Sequence, residues 1–225
     1  MLLNNNLIFL IILIKSLITR DIKLTLINSV SNFRDVAIGS KMKKKILFRC
    51  AKLSTLTDGD IKKLEELNPH AIIDFRDPKE IQKAPDNLSK SLLEKSISLP
   101  ISASTLNRMV IQKNIDGDNE LTYEKVMEES YKKYINNHKH VWKEFIKILL
   151  DSNNHPVIFH CSAGKDRTGI ASFLIQKLLD NSMDLIFENY LMSNKLLTSI
   201  AATAEQTTSS KKDDNQVSQI MLNTL

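Results

Sequence analysis

Short apolar segments alternate with amphipathic ones along most of the chain. KILFR (45–49) and AIIDF (71–75) are rich in branched and aromatic residues, as buried strands are. Between them, TDGDIKKLEEL opens with Thr57 and has Asp60 three residues later, a variant of the helix capping box, and it stops before Asn68. This part of the chain therefore predicts a β-α-β unit, and the continuing alternation predicts an α/β domain.

The second half continues the pattern with longer helices. YEKVMEESYKKYI and VWKEFIKILL carry apolar and aromatic residues along one face, which is typical of helices that cover a core. PVIFH (156–160) has the form of a buried central strand. The run from Ile170 to Leu179 is apolar on nearly all sides and predicts a buried helix, and SMDLIFENYLMSNKLL predicts one more amphipathic helix.

Residues 83–120 interrupt this regularity with prolines and polar runs. A stretch of this kind in a compact domain is either a lid that shapes a substrate site or a plain surface excursion. Both interpretations stay open at this point.

The N-terminal region contains an apolar block from Leu7 to Ile14. It is short for a membrane span, and its length fits a secretory signal, although no Lys or Arg precedes it and no A-x-A site follows. The alternatives are a core strand or an interfacial helix, with membrane contact through residues 7–18. We therefore expect an extension over 1–20, a domain over 21–197 and a polar tail over 198–225. Export or membrane association follows if the block is a signal or anchor, and a cytoplasmic location follows otherwise.

Composition and charge limit the classes of ligand that the protein is expected to bind. The net charge of +5 and the pI of about 9.1 favour anionic ligands, but no basic stripe with interleaved aromatics and no zinc-finger spacing points to nucleic acid. Two cysteines exclude a disulfide scaffold, and Cys50 fits a small buried apolar residue. Only six of the 31 basic side chains are arginine, which indicates that those six are needed for their planar fork.

The candidate chemistry lies in HCSAGKDRTG, between the predicted strand and helix. A loop at this place turns backbone N–H groups toward an anion at the positive end of a helix. Gly164 allows close approach of the backbone, and Gly169 relieves crowding where the helix begins. Arg167, six residues after Cys161, can grip two phosphate oxygens. The sequence therefore predicts a phosphate cradle.

Within this cradle the residues take distinct roles. Helix N-termini and neighbouring cations such as Lys165 stabilise a thiolate, so Cys161 is predicted to be a nucleophile aimed at phosphorus. Thr168 or Ser162 can donate a hydrogen bond to that sulfur, and His160 is expected to hold the loop backbone. Ser162, Ala163, Gly164, Lys165 and Thr168 are expected to surround the substrate, with His160 and Arg76 beside them.

Other interpretations of this segment fit poorly. A nucleotide-binding P-loop needs G-x-x-x-x-G-K-[ST], whereas Asp166 follows Lys165 here. A papain-like pair has its histidine far away in sequence, and a metal site needs more Cys or His nearby. No cofactor or metal is expected.

HCSAGKDRTG resembles the HC-x5-R signature of cysteine-dependent protein tyrosine phosphatases, and in its HC-x-x-GKDR-TG form it resembles the bacterial branch of tyrosine and phosphoinositide phosphatases. NFRDV (32–36), LFRCAKLSTLTDGD, IIDFRDPKE and NYLMSN resemble further motifs of that branch. The resemblance runs from about Asn28 to Leu197. Four arginines fall inside these motifs: Arg34, Arg49, Arg76 and Arg167. The chain departs from the pattern where Ala37 and Ile38 replace paired glycines and Cys50 replaces a serine.

The resemblance implies a central, mostly parallel sheet flanked by helices, with the phosphate loop between a central strand and a buried helix. It also implies hydrolysis of phosphate monoesters on phosphoproteins or phosphoinositides through a phosphocysteine. The general acid is implied to be Asp166 within the loop, with Asp74 as the alternative. Two rival functions stay open: a phosphate-binding module without catalysis, and a thiolate enzyme such as an arsenate reductase, for which Cys50 is the candidate resolving cysteine.

Overall fold

The computed structural model describes residues 27–40, 42–103, 123–151 and 156–201. The N-terminal apolar block, the tail beyond 201 and residues 104–120 of the weakly patterned segment lie outside the described residues, so the predictions for them stay predictions. Among the described helices, none is both long enough and apolar enough to cross a bilayer.

Five strands form one sheet in the order β1-β2-β5-β3-β4. Their bounds are β1 Arg34–Asp35, β2 Leu47–Cys50, β3 Ala71–Asp74, β4 Ser96–Ser98 and β5 Val157–His160. Only β1 runs antiparallel to its neighbour, and the other three pairs are parallel. The predicted α/β class with a mostly parallel central sheet is confirmed, and β5 lies between β2 and β3 as a central strand.

Seven helices surround the sheet in the described ranges. Their bounds are α1 Asp58–Leu67, α2 Pro78–Lys83, α3 Lys90–Leu93, α4 Tyr123–Asn136, α5 Lys139–Leu150, α6 Asp166–Leu178 and α7 Met183–Ala201. The predicted cap of α1 is present, because the Thr57 side chain accepts a hydrogen bond from the Asp60 amide at 3.3 Å. Asn68 ends that helix in the left-handed region, with φ of 52°.

Two clusters of buried residues cover the two faces of the sheet. On one face, side chains from α4, α5 and α6 such as Phe145 pack against Phe159 of β5. On the other, Leu64 of α1 and Leu92 of α3 pack with Ile158 of β5. Since successive strand residues point to opposite faces, β5 contributes to both clusters and is buried throughout.

The sequence pattern missed the shortest elements. β4 has only three residues, and Ser96 and Ser98 flank one isoleucine, so its pattern carries almost no strand signal. Its backbone nevertheless pairs with β3 at the edge of the sheet. Helix α2 has six residues, none of them buried, and it was also not predicted.

An apolar groove of about 490 Å³ lies near the amino-terminal end of β2, and the exposed side chains of Leu150, Leu178 and Leu179 are part of its lining. None of the predicted site residues lines it. The candidate chemistry lies at the other end of the strands, where β5 leads into α6.

Candidate functional site

The loop from Cys161 to Lys165 joins the carboxyl end of β5 to the start of α6. Cys161 is buried, with 2% of its surface exposed. Lys165 occupies the cap position of α6 and makes no side-chain capping hydrogen bond. The first turn of a helix has N–H groups without partners inside the helix, so these amides are available to an anion held in the loop.

Gly164 is required by both its conformation and its surroundings. Its φ is +66°, and a Cβ added there would lie 2.3 Å from the carbonyl oxygen of Cys50 and 2.7 Å from the Ala51 amide nitrogen. Backbone atoms cannot move aside as flexible side-chain ends can. The loop therefore rests directly on the end of β2, which only a glycine permits.

Buried side chains hold the Gly164 carbonyl oxygen from outside the loop. Arg49 Nη2 donates to it at 2.8 Å and Asn32 Nδ2 at 2.7 Å. Because the peptide group is planar and trans, its N–H points away from its carbonyl oxygen. Anchoring the oxygen on the outside therefore turns the N–H of Lys165 to the opposite side, as a phosphate cradle needs.

A second layer supports Asn32. Arg34 Nη1 donates to the Asn32 side chain and to its backbone oxygen, and Arg34 Nη2 donates to Ser193 Oγ at 2.8 Å and to the Asn189 carbonyl at 2.9 Å. Ser193 and Asn189 both lie in α7. The NFRD segment and the Y-L-x-S-N helix thus meet behind the loop.

Arg167 is fixed in one orientation by several acceptors. Its Nη1 lies 2.6 Å from Glu80 Oε2 and 3.1 Å from the Ile101 carbonyl oxygen, and its Nη2 lies 2.8 Å from Glu80 Oε1. Burial lowers the pKa of this guanidinium, but the hydrogen bonds to Glu80 and the charge of the Cys161 sulfur outweigh that effect and raise it overall. The side chain is therefore a permanent cation beside Cys161.

Glu80 is a site residue that the sequence interpretation missed. It stands at the third position of α2, where its carboxylate also accepts from the Asp77 amide in a capping box. Ser162 Oγ donates to Glu80 Oε1 at 2.5 Å. Burial raises the pKa of Glu80, but hydrogen bonds from Arg167 and Ser162 lower it to about 2. The D-P-K-E pattern after β3 was the available signal, since it marks a helix start at that place.

Asp166 is half-buried at the first position of α6. The hydroxyl of Tyr131, from α4, donates to its Oδ1 at 2.7 Å, and the same hydroxyl lies 2.6 Å from that of Tyr190 in α7. Burial raises the pKa of Tyr131 well above its ordinary value, and Asp166 and Tyr190 raise it further. Tyr131 is therefore a neutral donor. Sequence patterns placed it only in the core.

Arg76 and Asp74 form a buried ion pair away from the loop interior. Arg76 Nη2 lies 2.8 Å from Asp74 Oδ2 and 2.7 Å from Asp86 Oδ2, and Arg76 Nη1 donates to the Ala84 carbonyl at 2.7 Å. Arg76 is fully buried. Its guanidinium thus holds the 84–86 segment against β3, and contact of Arg76 with substrate stays a prediction.

His160 belongs to the same cluster. Its ring is fully buried, with Nδ1 3.7 Å from Asp74 Oδ1 and Nε2 3.4 Å from Asp86 Oδ2. Burial lowers its pKa, while the two carboxylates and the backbone of Cys161 oppose that shift. The ring thus lies against the network of Asp74, Arg76 and Asp86, and its predicted roles in holding the loop and lying beside substrate stay predictions.

The side chains of Asp74, Asp86 and His160 offer three potential metal ligands within 4.8 Å of one another. The Arg76 guanidinium already contacts both carboxylates. Because a cation neutralises the two acids, this cluster is an ion-pair network and does not fit a metal site.

The remaining loop residues differ in exposure. Ala163 is exposed and Lys165 is half-buried, whereas Thr168 is fully buried. The Thr168 hydroxyl has no hydrogen-bond partner among the described residues, while the Ser162 hydroxyl is bound to Glu80. Of the two candidate donors to the sulfur, Thr168 is the one whose hydroxyl is not already used.

The two cysteines lie at the carboxyl ends of the paired strands β2 and β5 but belong to different buried clusters. Cys161 packs with the cluster that contains Phe159, and Cys50 packs with the cluster on the other face of the sheet, which contains Ile158. Both thiols are free. Burial raises the pKa of Cys50 well above its ordinary value, with Asp86 adding to the effect. Burial therefore favours the neutral thiol form of Cys50.

A sequence model of the tyrosine phosphatase family matches residues 25–224. The chain belongs to this family. Among its relatives in the family, a protein of Cupriavidus necator named as a tyrosine-protein phosphatase is 25% identical over 173 residues, which cover 75% of this chain and 62% of the relative. The triple specificity protein phosphatase PtpB of Mycobacterium tuberculosis is 25% identical over 192 residues, covering 76% of this chain and 69% of that protein.

A third relative matches this family member over a shorter segment. The inositol diphosphatase DSP4 of Arabidopsis thaliana is 37% identical over 57 residues, which cover 25% of this chain and 29% of that protein. The chain thus spans less than two thirds of the length of the Cupriavidus and Arabidopsis relatives.

Proposed function

We propose that this chain is a cysteine-dependent phosphatase that hydrolyses phosphate monoesters through a phosphocysteine intermediate. The observation that carries the proposal is the position of Cys161 at the start of a loop whose Gly164 carbonyl is held outward and whose Arg167 is fixed by Glu80. Amides turned inward and a permanent cation beside one sulfur make a site for a tetrahedral dianion. Family membership supports the same class of reaction.

The reaction takes place in two displacements. The Cys161 thiolate attacks phosphorus, the bond from phosphorus to the ester oxygen breaks, and Asp166 gives its proton to that oxygen. A water molecule then attacks the phosphocysteine, Asp166 takes a proton from the water, and the sulfur–phosphorus bond breaks to restore the thiolate. Arg167 and the loop amides stabilise the charge on the transferring group in both steps.

Two observations favour Asp166 over Asp74 as the acid. Asp166 is half-buried in the first turn of α6, beside the loop, whereas Asp74 is 3% exposed and bound on both oxygens by Arg76. A carboxylate held by a guanidinium in the core is poorly suited to exchange protons with substrate and water. Thr168, with its unused hydroxyl, is the proposed donor to the Cys161 sulfur as it leaves phosphorus.

The proposed substrates are phosphotyrosine, phosphoserine or phosphothreonine in proteins, and phosphoinositides. The names of the relatives include both protein and inositol phosphate phosphatases. Lys165 adds a half-buried positive charge beside the loop, which suits polyanionic substrates of either kind.

The test is phosphate release from a panel of phosphotyrosine, phosphoserine and phosphoinositide substrates, with Cys161→Ser as the matched inactive variant. We expect turnover by the intact protein, none by the variant, and phosphorus bonded to Cys161 after acid quenching. Binding of phosphate without turnover would favour a non-catalytic module instead. Thiol-dependent arsenate reduction that is lost in Cys50→Ser would favour a reductase.

A further inference from the structure

Three side chains from different helices form a hydrogen-bonded chain that ends on the first residue of α6, directly after the loop. Tyr190 of α7 contacts Tyr131 of α4, and Tyr131 donates to Asp166 at the start of α6. We propose that Tyr131 is a positioning residue that aims the Asp166 carboxyl at the leaving group, and that Tyr190 orients Tyr131. This inference rests on the proposed function, in which Asp166 is the acid.

The direction of the chain follows from the donor inventory. A tyrosine hydroxyl has one proton, and that of Tyr131 is given to Asp166 Oδ1. The 2.6 Å contact with Tyr190 must then use a proton from Tyr190. Each hydroxyl thereby fixes the rotation of the next, and the last one fixes one oxygen of the carboxyl.

Tyr131 is held rigidly by burial, whereas the side chain of Asp166 is not. Tyr131 is fully buried, and its ring packs edge-on against Tyr134 with centroids 6.2 Å apart. Asp166 is only half-buried, so its carboxyl can rotate without such a partner. Holding Oδ1 orients the carboxyl plane and leaves Oδ2 to carry the proton to the ester oxygen. A carboxyl group that is already oriented increases the rate of proton transfer, because less rotational freedom is lost on reaching the transition state.

Gly169 explains how Tyr190 reaches this position. A Cβ at Gly169 would lie 2.7 Å from Cε2 of the Tyr190 ring. Because residue 169 has no side chain, the Tyr190 ring can lie directly on α6, about one turn beyond Asp166. The second glycine of HCSAGKDRTG thus serves the tyrosine chain as well as the start of the helix.

Other charged and titratable groups also lie near Asp166. Arg49 from β2 and Tyr134 from α4 both interact with it electrostatically, and Lys165 and Arg167 adjoin it in sequence. None of these groups is shown with a hydrogen bond to the carboxylate, as Tyr131 is. A readout that isolates protonation of the leaving oxygen is therefore needed to single out Tyr131.

The experiment compares Tyr131→Phe with the intact protein on two aryl phosphates. Phenyl phosphate has a leaving group that needs protonation, and 2,4-dinitrophenyl phosphate has one that leaves as an anion. Because general acid catalysis is worth about 10² to 10⁴ in rate, we expect kcat/KM for phenyl phosphate to fall about tenfold or more. That for the dinitrophenyl ester should change less than about threefold. Tyr190→Phe should act in the same direction, more weakly.

Controls separate positioning from simple loss of structure. Tyr134→Phe, a buried tyrosine one turn away on α4, should affect the two esters equally. In Tyr131→Phe, the rate of Cys161 alkylation by iodoacetate and the inhibition constant for vanadate should match those of the intact protein, because nucleophile and cradle are untouched.

The inference is overturned if Tyr131→Phe lowers kcat/KM for both esters alike or for neither. It is also overturned if Tyr134→Phe shows the same selective loss. Absence of turnover by the intact protein on every ester would remove the proposed function itself, and this result is visible before any variant is compared.

Discussion

Glu80 and Arg167 face each other as a two-point ion pair, with Oε2 2.6 Å from Nη1 and Oε1 2.8 Å from Nη2. The same carboxylate accepts from Ser162, the residue after the proposed nucleophile. Glu80, which lies in α2, therefore holds both the start of the loop and the first turn of α6. A guanidinium orients phosphate well only when its plane is fixed, and this pair fixes it.

Glu80→Gln should reduce catalysis without removing the nucleophile. An amide can accept only one of the two Arg167 hydrogen bonds, and its NH₂ group repels the other guanidinium nitrogen. We expect kcat/KM for para-nitrophenyl phosphate to fall about 10- to 100-fold, as losses of aligned electrostatic groups do. Glu65→Gln is the control, because Glu65 is bound to Ser89 and Ser91 and plays no part in the loop. Equal activity of Glu80→Gln and Glu65→Gln would contradict the assigned role.

Acid stability should report the same ion pair. The pKa of Glu80 is lowered from the ordinary 4.5 to about 2, so the folded state binds fewer protons there than the unfolded chain. The stabilisation is complete above the unfolded pKa and is lost as the pH falls through the folded one. Between about pH 5 and pH 2, the free energy of unfolding in urea should therefore fall less steeply in Glu80→Gln than in the intact protein. Parallel curves for the two proteins would argue against the pair.

Gly164→Ala should disrupt the fold locally. The substitution combines a left-handed φ of +66° with a contact of 2.3 Å to backbone oxygen, so we expect a loss of about 2–5 kcal/mol in the free energy of unfolding. Gly59→Ala is the matched control in α1, where the new Cβ would meet Thr57 Oγ1 at an ordinary 3.9 Å. That variant should be stabilised by about 0.5–1 kcal/mol. Denaturant unfolding measures both, and similar losses in the two variants would contradict the argument.

The two candidate acids should separate by phenotype. Asp74→Asn removes one partner of a buried ion pair with Arg76, so it should cost about 3–5 kcal/mol of stability. It should show no preference between good and poor leaving groups. Asp166→Asn should leave stability within about 1 kcal/mol. Its kcat/KM for phenyl phosphate should fall about 10²- to 10⁴-fold. If only Asp74→Asn lowered kcat/KM selectively for phenyl phosphate, Asp74 would be the general acid instead of Asp166.

Much of the fold was predictable because its signals are local. The strand from Val157 to His160 and the helices after it follow from runs of apolar residues, and the cap at Thr57 follows from a four-residue pattern. β4 was not predictable, since Ser96 and Ser98 acquire strand geometry only by pairing with β3. Edge strands this short are stabilised by the neighbouring strand and not by their own side chains.

The small number of arginines in the sequence correctly indicated that several of them have structural or functional roles. Arg34, Arg49, Arg76 and Arg167 are all buried, and each donates hydrogen bonds to two or more different acceptors. Their sequence positions did not show which would face a ligand. Arg76 is predicted to be among the substrate-binding residues, and the structure shows its guanidinium buried in ion pairs with Asp74 and Asp86.

The sequence alone determined the parts of the site that are contiguous: sulfur, glycine turn and arginine lie within HCSAGKDRTG, where short-range backbone geometry brings them together. Tertiary structure alone decided what holds them, since Glu80 is 87 residues from Arg167 and Tyr131 is 35 residues from Asp166. Such distant partners meet because α2, α4 and α6 converge at the carboxyl end of the parallel strands of one sheet. The local sequence pattern predicts these helices, but it does not predict that Glu80 contacts Arg167 or that Tyr131 contacts Asp166.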